Sequence, residues 1–175
     1  MCRLFLRRCI HMKDIICVGR QFGTGGHIIA KEFANRMGLK YIDCRLLENE
    51  CGVEGASEKF QIQKEIILKE AEENDCIFVG RCADYILKNY SEHNVKSIFF
   101  VAPMKYRIKK TMEADELTEK QAASKVRKMD SQRSAFYNYH TGCNWGKPSD
   151  YNYCINTAVN SKEEILAFME LISKS

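Results

Sequence analysis

The segment with the strongest chemical signature is rich in glycine and reads Gly19-Arg-Gln-Phe-Gly-Thr-Gly-Gly-His27. Glycine lets successive backbone N–H groups point toward one ligand, and the N-terminus of a helix directly behind the loop adds a favourable dipole. Both features attract phosphate, so the segment predicts a phosphate-binding loop; the alternative is a tight turn whose glycines serve only close packing. The residues predicted to contact the phosphates are Gly23, Thr24, Gly25, Gly26 and His27.

The loop differs from the common G-x-x-x-x-G-K-[ST] motif at the positions that carry its charged and hydroxyl side chains. Lysine would follow Gly25, but Gly26 stands there, and His27 takes the place of the Ser or Thr. The positive charge that the lysine brings to the outer phosphates must therefore come from elsewhere. Arg20 inside the loop is the nearest candidate, and arginines from a closing lid are the others.

A dinucleotide site is the alternative enzyme class for the same loop. Asp43 lies twenty residues after Gly23, at the end of the second predicted strand, where a ribose-binding acid would stand. The G-x-G-x-x-G spacing, however, requires glycine at position 28, which is occupied by Ile28. The dinucleotide interpretation therefore ranks second.

Arginines follow several predicted strands. Arg45 comes shortly after the second strand, Arg81 follows the strand that ends at Val79, and Arg107 lies one turn into the helix after the next strand. A guanidinium group suits phosphate because its donors bind two oxygens at once. An isolated arginine usually belongs to a surface ion pair, but several at neighbouring strand ends favour an anion site.

Residues 104–133 carry nine basic and five acidic residues, and this excess of +4 equals the formal net charge of the whole chain. Three interpretations are open: a solvated helical face, a nucleic-acid-binding surface, or a lid whose arginines, Arg127 and Arg133 among them, close over transferring phosphates. Aromatic residues follow the segment and fit either stacking on bases or packing of the lid. They are Phe136, Tyr137 and Tyr139.

The elements that must position these residues alternate between short apolar runs and segments of helical periodicity. The pattern predicts a parallel sheet covered by helices on both faces, an α/β fold. Ligands of such sheets bind beyond the carboxyl ends of the strands, where the glycine loop and the arginines lie. The predicted strands are 15–18, 41–42, 76–79, 95–101 and 153–155, and helices are predicted from 26, 57, 83, 103, 118 and 161.

Composition narrows the class of protein. The 175 residues are 45% hydrophobic and 29% charged, which is typical of one globular domain and excludes wholesale disorder. The nine cysteines include no C-x-x-C pair, so we expect reduced thiols, no metal site and a cytoplasmic location. The longest purely apolar run, Ile98–Ala102, is far too short to cross a bilayer, so we expect no membrane association. Residues 1–11 are predicted to be an N-terminal extension, with the folded domain covering 12–175.

From Met12 onward, nearly the whole chain resembles the cytidylate kinase-like family of P-loop kinases, and four separated segments are the specific parts of that resemblance. The resemblance implies a three-layer P-loop kinase fold with a central parallel sheet and a helical lid over about residues 118–147. The segments are Gly19–Gly26, Val79–Tyr85, Ala102–Arg107, and Asp130–Arg133 continuing through Trp145-Gly146 to Cys154–Thr157.

The resemblance also implies an activity: ATP-dependent phosphoryl transfer to a nucleoside monophosphate, with CMP or dCMP as the favoured acceptor and Mg²⁺ bridging the donor phosphates. ATP would lie on the glycine loop, and small-molecule nucleotides would be the partners. The implied acceptor-binding residues are Asp43, Arg45, Arg81 and Asp130, and the implied catalytic residues are Arg20, Arg107, Arg127 and Arg133.

Two other hypotheses stay open. Relatives often place aspartate where Cys82 stands, and their segment corresponding to residues 45–60 is often longer, so the acceptor base is the least defined part of the prediction. With the missing lysine, these differences also fit a nucleotide-binding protein that has lost or altered its transferase activity. An RNA-binding protein that uses residues 104–133 ranks last, because the net charge is only +4.

Overall fold

The structure is a computed structural model that describes residues 12–46, 55–90 and 93–173. Its strands form one five-stranded parallel sheet in the order β2–β3–β1–β4–β5. The predicted N-terminal extension, residues 1–11, lies outside the described residues. The strands are β1 Asp14–Arg20, β2 Lys40–Asp43, β3 Cys76–Val79, β4 Asn94–Val101 and β5 Tyr153–Asn156.

Helices connect the strands, as parallel pairing requires. A single 3₁₀ turn, Pro148–Asp150, precedes β5. The helices of the described residues are α1 Gly26–Met37, α2 Ala56–Glu73, α3 Ala83–Leu87, α4 Met104–Asp115, α5 Glu119–Thr141 and α6 Lys162–Ser173. None of them is long and apolar enough to cross a membrane.

Two hydrophobic cores lie on opposite faces of the sheet, because successive strand residues point to opposite sides. Ile16 and Val18 of β1 pack with α1 and α6, whereas Ile15 and Cys17 pack with α2 and α3. All four side chains are almost completely buried. The predicted three-layer α/β architecture with a central parallel sheet is confirmed.

The strand order determines which residues meet. β1 lies in the centre, between β3 and β4, so the glycine loop that follows it emerges from the middle of the sheet. The residues after β2 and β3 lie to one side of the loop. The segment after β5 lies to the other side, two strands away.

Helices α4 and α5 form a hairpin beyond the carboxyl end of β4. A capping box begins α5, the helix predicted from residue 118: the Thr118 hydroxyl accepts a hydrogen bond from the Gln121 amide, and the Gln121 side chain accepts one from the Thr118 amide. These bonds satisfy two backbone donors that the first turn of α5 would otherwise leave unpaired. The hairpin corresponds to much of the segment predicted as a lid.

Candidate active site

Two clefts lie at the carboxyl edge of the sheet and share three arginines, Arg20, Arg45 and Arg133. The first, the loop cleft, has a volume of about 610 Å³ and lies between the glycine loop, α4 and the segment 157–165. The second, the arginine cleft, has a volume of about 110 Å³ and lies between the ends of β1 and β3, helix α5 and the segment before β5. A ligand in either cleft therefore meets the same positive charges.

The glycine loop, residues 20–26, needs glycine for two separate reasons. Gly23 and Gly25 have φ angles of 81° and 75°, in the left-handed region that other residues rarely adopt. Gly26 has no room for a side chain, because a Cβ atom would lie 2.7 Å from the ring of Phe100. At Gly25, in contrast, a Cβ atom would meet nothing within 4 Å, so this backbone faces open space that a phosphate group can occupy.

Hydrogen bonds from distant segments hold the loop. The Gln21 amide donates to the Phe100 carbonyl at 3.0 Å, and the Gln21 side chain accepts from the Ala102 amide at 3.1 Å. Within the loop, the Thr24 hydroxyl donates to the Gln21 carbonyl at 2.9 Å. The conformation is therefore fixed before any ligand binds, which is what an anion-binding loop requires.

Arg107 and Asp130, two sequence-predicted site residues, lie beneath the glycine loop. Arg107 is only 4% exposed; its Nη1 atom lies 2.5 Å from Asp130 Oδ2 and its Nε atom donates to the Ala102 carbonyl at 3.0 Å. The other carboxylate oxygen of Asp130 accepts from the Phe22 amide at 2.7 Å. Neither side chain lines a cleft.

Arg20 and Arg133 form the centre of a positive cluster. Arg133 of α5 donates to the backbone carbonyl of Arg20 at 2.9 Å, and neither arginine forms an ion pair with a described acidic residue. Burial, followed by repulsion from Arg45, lowers the pKa of Arg20. Burial, followed by repulsion from Arg20, lowers the pKa of Arg133 to about 9. Both shifts arise because like charges are crowded and partly desolvated, which a bound anion would relieve.

Asp43 balances one member of this cluster. Its carboxylate accepts hydrogen bonds from Arg45 Nη2 at 2.6 Å and from Arg45 Nε at 3.0 Å. This paired geometry fixes the direction of the Arg45 guanidinium at the mouth of both clefts. Asp43 itself lines neither cleft, and neither does Arg127, which is exposed on α5.

Arg81 is positioned by an unusual backbone. Three successive residues, Gly80, Arg81 and Cys82, have positive φ angles of 85°, 53° and 62°. The turn places the Arg81 guanidinium carbon 4.2 Å from the ring centre of Phe136. Left-handed conformations of residues other than glycine are strained and cluster at functional sites. The Phe136 ring in turn packs against His140, which stacks on Phe60 of α2 at 4.2 Å.

His27 lies at the rim of the loop cleft, at the first turn of α1. Partial burial, followed by repulsion from Arg20 and Arg45, lowers its pKa below the usual value. The imidazole is therefore neutral near pH 7 in the protein without ligand.

Two features of the site are visible only in the folded structure. The first is the half-buried Asp84, whose carboxylate accepts a hydrogen bond from the Tyr137 hydroxyl at 2.8 Å; partial burial raises the pKa of Asp84. The second is the Thr157 hydroxyl, which lines the loop cleft, is buried, and has no hydrogen-bond partner among the described residues. A buried polar atom without a partner is rare, and a ligand would satisfy it.

A parallel sheet between two layers of helices, with this loop and these arginines at its carboxyl edge, defines the fold of a P-loop kinase. The chain belongs to the cytidylate kinase-like family, whose sequence model matches residues 15–60 and 54–159. The family predicted from the sequence is thus confirmed. A comparison with curated proteins gave no match.

Solved structures support the fold. An uncharacterized protein from Eubacterium ventriosum ATCC 27560 is 28% identical, with 93% of this chain and 99% of that chain covered and a TM-score of 0.83. A shikimate kinase from Acinetobacter baumannii in complex with shikimate is 14% identical, with 94% and 95% covered and a TM-score of 0.56. A gluconokinase from Sinorhizobium meliloti 1021 is 10% identical, with 94% and 95% covered and a TM-score of 0.61. Family and fold together indicate a phosphotransferase that uses a nucleotide.

Gly80→Ala tests whether the arginine cluster is an anion site. A Cβ atom at Gly80 would collide with Nη1 of Arg20, so the Arg20 guanidinium must move. Loss of one charge-assisted interaction predicts that affinity for inorganic triphosphate, measured by calorimetry, falls about 10- to 100-fold.

The matched control is Gly38→Ala. Gly38 also has a positive φ of 67°, but a Cβ atom there meets nothing within 4 Å. Both variants therefore carry the cost of a left-handed alanine, about 1 kcal/mol of unfolding free energy, and only Gly80→Ala disturbs an arginine. Equal triphosphate affinity in the two variants would contradict the assignment.

Proposed function

We propose that the protein transfers the γ-phosphoryl group of ATP to the phosphate of a nucleoside monophosphate, with CMP or dCMP as the favoured acceptor. The observation that carries the proposal is the sharing of Arg20, Arg45 and Arg133 by two clefts. Phosphoryl transfer needs this arrangement, because negative charge from two substrates accumulates at one point between them.

ATP is assigned to the loop cleft. Its phosphates would lie on the backbone amides of residues 23–27, at the N-terminus of α1, where partial positive charge favours an anion. The base and ribose would lie between α4 and the segment after β5, where Tyr106 offers a ring and Thr157 offers an unpaired hydroxyl. The residues present thus fit the nucleotide.

The missing lysine is replaced, in this proposal, by two guanidinium groups. Arg20 comes from the loop itself and Arg133 from α5, and both line the cleft that holds the donor as well as the cleft that holds the acceptor. Arginine serves here because its charge persists even when neighbouring cations lower its pKa. Arg127 is exposed outside both clefts, so a catalytic role for it would need the hairpin to move.

The acceptor is assigned to the arginine cleft. Arg81 and the Arg45–Asp43 pair would hold its phosphate, and the aromatic side chains of Phe136 and Trp145 line the same cleft. An oxygen of the acceptor phosphate would attack the γ-phosphorus, and the bond to the β–γ bridging oxygen would break, releasing ADP. The arginines would stabilise the charge spread over the transferring group.

Mg²⁺ would neutralise charge on the donor phosphates when it is bound. The part of the chain that the structure describes contains no group of three or more His, Cys, Asp or Glu side chains that could hold a metal ion. Phosphate oxygens and water would therefore be its main ligands, which suits a cation that keeps several waters.

The decisive experiment is an assay of the purified protein with ATP, Mg²⁺ and a panel of acceptors. CMP, dCMP, UMP, AMP and GMP test the proposal, and shikimate tests the acceptor of one structural neighbour. Turnover of a pyrimidine monophosphate is the expected result. ATP binding without turnover of any acceptor would favour the alternative of a nucleotide-binding protein with lost or altered activity, which the Gly26 and His27 replacements motivate.

Arg133→Ala is expected to lower turnover about 10²- to 10³-fold, because it removes a cation aimed at the transferring group. Its thermal midpoint should change little, since the lost hydrogen bond to Arg20 is offset by relief of charge repulsion. Lys128→Ala, on the exposed side of the same helix, is the control and should turn over like the wild type. A lower midpoint with unchanged turnover would instead make Arg133 a structural residue.

ATP affinity should depend on pH through His27. The pKa of His27 is lowered in the free protein, and a bound triphosphate would raise it by bringing negative charge nearby. Binding is then strongest below the free-state pKa, weakens as pH rises toward the bound-state pKa, and levels off above it.

The measurement is calorimetric ATP affinity of the wild type and of His27→Gln from about pH 5.5 to about pH 8. The ratio of the two affinities removes the titration of ATP itself. We expect this ratio to fall with rising pH; a constant ratio would show that the imidazole does not meet the phosphates.

A further inference from the structure

We infer that Asp130 is a positioning residue of the glycine loop, which it holds through Phe22 and Arg107, and that it does not serve as a ligand of the acceptor sugar. The inference rests on the proposed function in one respect, that the loop binds ATP. We call the unit formed by Phe22, Ala102, Arg107 and Asp130 the Phe22 bracket.

Four hydrogen bonds join the members of the bracket. Asp130 accepts from the Phe22 amide at 2.7 Å with one oxygen and pairs with Arg107 at 2.5 Å with the other. Arg107 Nη1 also donates to the Phe22 carbonyl at 3.2 Å, and Nε donates to the Ala102 carbonyl at 3.0 Å. Both backbone groups of Phe22 are therefore fixed by side chains of the α4–α5 hairpin.

The bracket lies directly beside the part of the loop that must meet phosphate. At Gly23, the next residue, a Cβ atom would lie 2.7 Å from the Arg107 carbonyl oxygen and 3.0 Å from the Thr111 hydroxyl. The backbone of the loop is thus pressed onto α4. The amides that follow Phe22 keep one direction only while this contact with α4 is intact. A preorganised set of donors binds an anion without a free-energy cost of reorganisation.

Each carboxylate oxygen of Asp130 already accepts a hydrogen bond. The Arg107 side chain is 5% exposed and the Asp130 side chain 18%, so turning the carboxylate toward a sugar would leave a guanidinium charge buried and unpaired. That is strongly unfavourable. Asp130 also lines neither cleft, whereas Arg133, one helical turn later on the same face of α5, lines both.

The two residues of this Asp-x-x-Arg pair therefore divide two tasks. Asp130 holds the loop at Phe22, and Arg133 holds it at the carbonyl of Arg20 while presenting its charge to the substrates. Helix α5 is hydrogen-bonded to the glycine loop at two points. This part of the predicted lid therefore moves only together with the loop or by breaking both contacts.

Asp130→Asn is the test, because it keeps the shape and an acceptor for the Phe22 amide but removes the charge that balances Arg107. We expect the dissociation constant of Mg-ATP, measured by calorimetry, to rise about 10- to 100-fold, the loss that follows when a charge-assisted bond is weakened. The KM for ATP should rise in parallel, and the KM for the acceptor should stay at the wild-type value.

The matched control is Glu70→Gln. It removes another short ion pair, Lys40 to Glu70 at 2.6 Å, at the opposite edge of the sheet, and should bind Mg-ATP like the wild type. The paired variant Arg107→Gln with Asp130→Asn leaves no charge within the bracket, so it should recover part of the lost ATP affinity. If Asp130→Asn alone does not fold, the paired variant is used instead to compare the KM for ATP with the KM for the acceptor.

Three results would overturn the inference. A raised acceptor KM with unchanged ATP affinity would make Asp130 an acceptor ligand. A lower thermal midpoint with both affinities unchanged would make the bracket merely structural. A wild-type protein that binds no ATP would remove the basis of the inference and of the proposed function together, whereas ATP binding without transfer would reject the function alone and leave the calorimetric test decisive.

Discussion

Crowding of positive charge at one edge of the sheet is the constraint on which the rest of the site depends. Arg20, Arg45 and Arg133 lie in a partly desolvated place where each makes the charge of another less favourable. A folded protein tolerates such crowding when packing and hydrogen bonds hold the groups in place. Here the Arg20 carbonyl, the Asp43 carboxylate and the turn at Gly80 do so.

The glycine loop and the arginines both bind phosphate in this proposal, but they contribute different groups. Amide dipoles provide close, directional donors but no net charge, and the loop has no lysine to supply one. Part of the charge comes from Arg20 at the start of the loop, and the rest comes from Arg133 on a helix more than a hundred residues away in sequence, which lies against the loop at Phe22 and Arg20. In this chain the second cation is therefore joined to the loop by tertiary packing and not by adjacency along the sequence.

The sequence was sufficient for the features whose causes are local. Periodicity indicated the strands and helices, and clustered glycines indicated the loop, because conformational freedom and burial leave a pattern in neighbouring residues. Sequence could not show that the carboxylate of Asp130 bonds Phe22 and Arg107, nor that Asp84 meets Tyr137, since these pairs are 108, 23 and 53 residues apart and depend on how α5 packs. The unpaired hydroxyl of Thr157 is equally invisible before the fold is known.

The sharing of Arg20, Arg45 and Arg133 between the two clefts has a consequence for the energetics of the proposed reaction. Before transfer, two separate anions draw on one set of cations, so each substrate weakens the electrostatic attraction felt by the other. During transfer the migrating group lies between donor and acceptor, and its charge falls where all three guanidiniums converge. The arginines therefore stabilise the transition state more than they stabilise the two bound substrates, which is the differential stabilisation that catalysis requires.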